Sequence, residues 1–135
     1  MKRIYDLLNN NRDIAFATVG DDGKPKIRVF QIMKIDEQAN ILYFATSPKK
    51  EVFMQLQSKP AVELLALSGK SSVRIAGDAA FNLGDEICQE IYDTNSVLSR
   101  LYKDYQDLAY FCVPMVTLDY FDLNTNPPIL KTFNL

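Results

Sequence analysis

The chain has no histidine among its 135 residues. That absence excludes Ser-His-Asp and Cys-His catalysis, an imidazole general base, and histidine ligation of zinc or haem. Cysteine is nearly as scarce. Cys88 and Cys112 match no CxxC spacing and read as two reduced, buried thiols. No apolar run approaches the roughly 18 residues of a membrane span. Residues 1–12 lack the apolar stretch of a signal peptide. No membrane association is expected, and the expected location is cytoplasmic. An excess of positive charge is also missing: Lys plus Arg is 15, Asp plus Glu is 17, and the net charge is −2. This argues against nucleic acid as a partner, leaving room only for a local basic patch. With acid–base side chains so few, redox chemistry would have to come from a bound cofactor.

What is present is an ordinary globular composition, 47% hydrophobic and 24% charged, in a length that fits a single domain over residues 1–135. Ile4, Leu7 and Leu8 have helical spacing within residues 2–11. Residues 13–20 read as a strand, Asp21-Asp22-Gly23 as a turn, residues 24–35 as one long strand, and residues 41–46 as a third. Ser47-Pro48 has the pattern of a helix start, Ser as N-cap and Pro at the first helical position, with Val52, Phe53 and Leu56 facing inward. Residues 61–67 read as a buried strand and residues 71–81 as its partner, with a bulge at Gly77. Helices are expected over 84–93 and 97–103, the second with Leu98, Leu101 and Tyr102 inward. Strands follow at 109–113 and 116–123, then an extended surface tail. Strict β-α-β alternation and a GxGxxG motif are both absent, so a doubly wound fold is disfavoured. The expected fold is mainly β: an antiparallel split β-barrel of about six or seven strands with three short helices.

Two places carry charge where charge is unexpected. Lys49 and Lys50 fall in the first turn of the expected helix, where the macrodipole disfavours cations unless an anion is bound. The alternative is a pair of solvated lysines. Arg28 lies in mid-strand, where alternation puts it on one face with Phe30 and Ile32, and Ile27, Val29 and Gln31 on the other. A guanidinium there needs a partner, either a phosphate, which its planar fork suits, or a neighbouring carboxylate. Arg74 reads as a surface ion pair. The paired acids Asp21-Asp22 and Asp36-Glu37 read as solvated turns.

The segments Ala17-Thr18-Val19, Pro25-Lys26-Ile27-Arg28-Val29, Leu42-Tyr43-Phe44-Ala45-Thr46-Ser47, Lys49-Lys50 and Ser72-Val73-Arg74-Ile75-Ala76-Gly77 occur in that order. They resemble the pyridoxamine 5′-phosphate oxidase-like family of FMN-binding split barrels, over about residues 10–82 and more weakly through 116–123. The resemblance implies a homodimer with FMN in clefts between subunits. Arg28 and Lys50, with Lys49 and the Ser47 hydroxyl, would hold the FMN phosphate. Val29, Phe30 and Gln31 would run beneath the isoalloxazine ring, and Ala45 and Thr46 would lie at the ring and ribityl region. Ser72 stands where the family often has a flavin-contacting Gln. Tyr110 or Phe111 would reach a partner's flavin.

The chain also departs from the family pattern. It lacks the C-terminal Arg-x-His segment that grips the vitamin phosphate in true pyridoxamine phosphate oxidases, so that reaction is not expected. Haem-degrading branches that use a histidine ligand are excluded in that form, whereas deazaflavin-binding branches remain open. Two functions fit: an FMN-dependent oxidoreductase passing electrons to a small organic acceptor, or a flavin-binding protein that stores, carries or senses FMN without turnover. The aromatics Tyr102, Tyr105, Tyr110, Phe111, Tyr120 and Phe121 read as core and dimer packing, because no basic stripe accompanies them. The adjacent pairs Tyr110-Phe111 and Tyr120-Phe121 should each send one ring outward to an interface, unless the helices of the same subunit cover it.

Overall fold

A computed structural model describes all residues, 1–135. The strands are β1 (Asp13–Val19), β2 (Pro25–Gln31), β3 (Lys34–Asp36), β4 (Ile41–Thr46), β5 (Ala61–Ser68), β6 (Ser71–Asp78), β7 (Ala109–Asp122) and β8 (Ile129–Asn134). The helices are α1 (Lys2–Asn10), α2 (Glu51–Ser58), α3 (Asp85–Thr94) and α4 (Ser96–Leu101), followed by one 3₁₀ turn at Tyr105–Asp107. All strand pairs are antiparallel, in the order β2-β1-β5-β6-β7-β4-β3, with β8 added to β7. The sheet curls, and its two ends belong to one stretch of chain. After β2 the backbone leaves β1 at Ile32, whose N–H bonds the Arg12 carbonyl, and joins β4 at Met33, whose N–H bonds the Tyr43 carbonyl. This crossover splits the barrel, as expected.

Eight strands replace the expected six or seven, and each strand difference has a local cause; the four helices fall on the four segments read as helical, one more than the count of three. The long strand over 24–35 breaks at Ile32–Met33, where it changes partners. The strands expected at 109–113 and 116–123 are one, because Pro114 falls where β7 passes from β4 to β6. There a missing N–H costs least. Gly77 sits at the β6 irregularity on that junction, and a Cβ on it would come 2.5 Å from the Pro114 carbonyl oxygen. The tail forms an edge strand on β7. Residues 61–67 are not buried on both faces: alternate side chains from Ala61 to Leu67 face out.

The barrel interior is aromatic at its centre. Phe16, Phe44 and Phe111 are fully buried and pack with Phe30, mostly edge-to-face, at centroid separations of 4.9–6.0 Å. Helix α1 adds Ile4, Leu7 and Leu8 to this core, and α2 adds Val52 and Leu56. A second, smaller core lies outside the β4–β7 wall, where Ile91 of α3 and Leu98 of α4 cover Tyr43, Ala45, Tyr110 and Cys112. Strand β4 is therefore buried on both faces. Tyr110, expected at an interface, is covered by its own helices, and Phe111 is sealed inside its own barrel. Leu101, expected inward, is 64% exposed at the end of α4. The cysteines are free. No helix is long and apolar enough to cross a membrane.

Candidate functional site

Strand alternation turns Arg28 to the same side as Phe16 and Phe30, at the end of the barrel that α2 closes. Its guanidinium finds neutral partners: Nη1 donates to Thr18 Oγ1 at 2.6 Å and Nη2 donates to Gln55 Oε1 at 3.1 Å. Thr18 also donates to Gln55 Oε1 at 2.8 Å, and Gln55 Nε2 donates to Glu51 at 3.0 Å. This network fixes the Gln55 amide, since its oxygen must accept from both neighbours. Thr18 and Gln55 are only 2% and 4% exposed. Burial pulls the Arg28 pKa below its ordinary value, and the field of Glu51 opposes the shift. No carboxylate lies within ion-pair distance of Arg28. Two of its five N–H donors are used, which leaves three for another acceptor.

The approach to α2 differs from expectation. The helix starts at Glu51, with Lys50 as an extended N-cap lacking a side-chain cap bond. Ser47 to Lys50 form a turn instead. The Ser47 hydroxyl accepts from the Lys49 N–H at 3.2 Å, and the Ser47 carbonyl accepts from the Lys50 N–H at 3.1 Å. The lysines thus precede the helix rather than occupy its first turn, and the dipole argument for them weakens. Glu51 takes the first helical position. Neither Lys49 nor Lys50 has an ion-pair partner.

Arg28, Val29, Phe30, Gln31, Ala45, Thr46 and Lys50 line a single cavity of about 490 Å³. Of the other residues singled out in the sequence, Ser47 and Lys49 lie in the turn leading to it. Ser72 is on β6, opposite Leu67 and Phe121, outside this cavity. The size suits a small-molecule ligand. Arg28, Lys50 and Glu51 make the cavity polar at one end, while Met33, Val97, Leu98 and Leu108 make it apolar elsewhere. Strand β2 ends the sheet order, so one backbone edge of Val29–Gln31 has no strand partner. The buried Thr46 hydroxyl, in the lining, has no hydrogen-bond partner. Unpaired cations, an open strand edge, an orphaned hydroxyl and an apolar wall fit a ligand with one anionic end and one flat, apolar, hydrogen-bonding end. Glu51 is the contrary charge, and its hydrogen bond from Gln55 is what restrains it.

Sequence reasoning missed Gln55 and the α4 wall. Gln55 carried a signal: it lies between Val52 and Leu56 on the inner face of an amphipathic helix, where a polar side chain needs a buried partner. The α4 wall had none, because its residues reach the cavity only through tertiary packing.

Arg74, by contrast, is paired at the surface with Asp119 at 2.7 Å and Glu63 at 3.8 Å, as expected.

The class these observations define is the antiparallel split barrel, here with a polar-ended cavity against its end strand. Within that class, the pyridoxamine 5′-phosphate oxidase family profile matches residues 1–120, and the chain belongs to that family. No curated protein matches the chain. Among solved structures it is similar to a Clostridium acetobutylicum protein related to general stress protein 26 of the pyridoxinephosphate oxidase family. That likeness has TM-score 0.81 at 15% identity and covers 99% of this chain and 93% of the other. It is also similar to a pyridoxamine 5′-phosphate oxidase-related, FMN-binding protein from Nostoc punctiforme, with TM-score 0.71 at 16% identity, covering 99% and 95%. A heme-binding protein from Mycobacterium smegmatis gives TM-score 0.72 at 16% identity, covering 95% of this chain and 55% of the other. At such identities these likenesses speak to the fold.

Proposed function

We propose that this protein binds FMN in the cavity beside β2 and acts as a homodimeric oxidoreductase that passes electrons to a small organic acceptor. The observation that carries the reading is Arg28: a half-buried guanidinium with neutral hydrogen-bond partners, no carboxylate within ion-pair distance, and donors to spare. Arg28 and Lys50 hold the terminal phosphate, with Lys49 and the Ser47 hydroxyl in support. The free edge of Val29, Phe30 and Gln31 meets the polar rim of the ring, and Ala45 and Thr46 bound the ring and ribityl chain. One phosphate-sized cluster suits FMN better than FAD, which needs donors for a pyrophosphate and room for an adenine. Bound FMN would supply the hydride and electron chemistry, for which the chain has no side-chain equivalent. The Nostoc FMN-binding relative supports this choice of cofactor.

The outer face of the sheet supports the dimer. Ile27 and Val29 of β2 are 72% and 70% exposed, and Leu65 and Leu67 of β5 also point outward. Ala15 lies between Val29 and Leu65 in register, and Ala17 lies beside Ile27. The result is an apolar strip floored by small residues, of the kind a second copy covers. Ser72, outside the cavity of its own chain, contacts flavin only across such an interface.

The test is to release and identify the chromophore of the purified protein. FMN is the expected result; FAD, a deazaflavin or no chromophore overturns the proposal. Reduced nicotinamide followed by a quinone then separates turnover from storage: repeated bleaching and recolouring marks the enzyme, and a flavin that stays oxidised marks a carrier.

A further inference from the structure

A second cavity, also of about 490 Å³, lies beside the first and plays no part in the flavin reading. Leu108 borders both, while α2 gives Val52 to the first and Phe53 to the second. The walls of the second are aromatic. Phe53 packs edge-on against Phe81 at 5.3 Å between centroids, Tyr105 and Tyr110 add two more rings, and Gln57, Cys88 and Gln106 supply the uncharged polar part of the lining. Tyr110 is only 6% exposed, yet its hydroxyl has no hydrogen-bond partner. Apart from Thr46 in the first cavity, it is the sole buried side-chain polar atom so left. Buried polar groups are otherwise satisfied almost without exception, so this phenol, on a residue that lines the cavity but with its oxygen closed off from solvent, is a donor that an entering acceptor must uncover.

The charge of this cavity is the opposite of the first. No Lys or Arg lines it, and its one ionisable carboxylate is Asp85, at the start of α3. An anion meets no compensating charge here and one repelling charge. A phenol is already protonated at neutral pH, and burial raises the Tyr110 pKa further above its ordinary value. The aromatic lining sets the shape: a flat ring stacked or edge-packed among Phe53, Phe81 and Tyr105.

We propose that this cavity is a second binding site, for an uncharged aromatic molecule carrying a hydrogen-bond acceptor, such as a carbonyl, that pairs with the Tyr110 hydroxyl. The two cavities then sort ligands by charge, an anion beside Arg28 and a neutral acceptor beside Tyr110. The inference stands apart from the flavin reading, since none of the residues proposed to hold FMN lines this site.

Amide chemical shifts of the full chain, titrated with three probes of similar size, test the proposal. Acetophenone offers ring and acceptor, ethylbenzene the ring alone, and benzoate an anion. Acetophenone is expected to shift Tyr105 and Ala109 but not Val29 or Gln31, and to bind roughly 5- to 10-fold tighter than ethylbenzene, the worth of one neutral hydrogen bond. Benzoate should bind more weakly than either. Tyr110→Phe should bring acetophenone down to the affinity of ethylbenzene and leave ethylbenzene unchanged, which also reports that the variant is folded. Ala109→Leu should fill the cavity and weaken both neutral probes. Lack of binding, equal affinity of the two neutral probes, a preference that survives Tyr110→Phe, or shifts confined to Val29 and Gln31 would each overturn the assignment.

Discussion

Replacing Arg28 by alanine separates a ligand-binding arginine from a structural one. Its two hydrogen bonds run to uncharged acceptors, Thr18 Oγ1 and Gln55 Oε1. Those acceptors keep their own bond to each other when the guanidinium is removed. The loss to the fold is therefore limited. Broken charge-assisted bonds cost about 1.5–3 kcal/mol each, but removing a partly desolvated cation without a counter-ion returns much of that. The loss to an anionic ligand has no such offset. A charge-assisted bond to phosphate is worth about 1.5–3 kcal/mol, so FMN affinity should fall roughly 10- to 150-fold. Arg74→Ala is the control. That side chain is 61% exposed in its pairs with Glu63 and Asp119, and solvent-screened surface pairs of this kind contribute little. It should leave FMN affinity unchanged. Lys50→Ala should fall between the two, because an exposed ammonium at the turn is screened. Calorimetric titration of FMN into the flavin-free variants, with thermal unfolding alongside, measures both quantities. Equal losses of affinity in Arg28→Ala and Arg74→Ala would refute the phosphate assignment. A collapse in melting temperature for Arg28→Ala without FMN would make the residue structural.

Four further outcomes are expected. Gly77→Ala should destabilise the fold by about 1–3 kcal/mol, since its Cβ would meet the Pro114 carbonyl oxygen; an unchanged denaturation midpoint would count against the close approach. The Asp122 carboxylate is held below its ordinary pKa, chiefly by the backbone N–H of Asn124 and also by the side chains of Asn124, Ser71 and Tyr120. With the folded value below the unfolded one, its contribution is complete above about pH 4 and fades as pH falls through the folded value. Asp122→Asn should flatten that part of the acid limb of the stability curve, as chemical denaturation across pH would record. Ile27→Glu combined with Leu67→Glu should give a monomer by light scattering at micromolar concentration; a dimer that persists would place the interface elsewhere. Pyridoxamine phosphate should not be oxidised by the FMN-loaded protein, because residues 1–135 contain no histidine to hold it; sustained pyridoxal phosphate formation would contradict this.

The strands were legible wherever one face is buried. Alternation placed Arg28 and Phe30 on one face of the strand and Ile27 and Val29 on the other, and the structure turns the first of these faces inward. Boundaries failed where local chemistry imitates another signal. Ser47-Pro48 reads as a helix start, yet the Ser47 hydroxyl closes a turn on Lys49 and the helix waits for Glu51. Pro114 reads as a break and instead marks a change of partner within one strand. The inward placement of Tyr110 depended on where α3 and α4 lie, which their own sequences do not state. Of the residues singled out for the site, those on β2 and β4 share a cavity because the barrel brings the two strands to the same end. Ser72 could not be placed by sequence, since β6 is separated from them by β1 and β5 on one side and by β7 on the other.

Strand β7 has a consequence for the order of events during synthesis. Alone it joins β6 to β4, and it also receives β8, so a strand made after β1–β6 is the keystone of the sheet. Before it emerges, β1, β2, β5 and β6 can associate, but β3 and β4 have no strand partner among them and are joined to them only by the Ile32–Met33 crossover and by α2. Phe44 then has no Phe111 to stack on, and the edge of β6 lies open. The nascent chain must therefore hold an unfinished aromatic core and an unpaired strand edge until β7 is free to pair. Such an intermediate is the kind that aggregates or recruits chaperones. Substitutions that weaken β7 should for this reason lower the yield of soluble protein more than their effect on equilibrium stability would suggest.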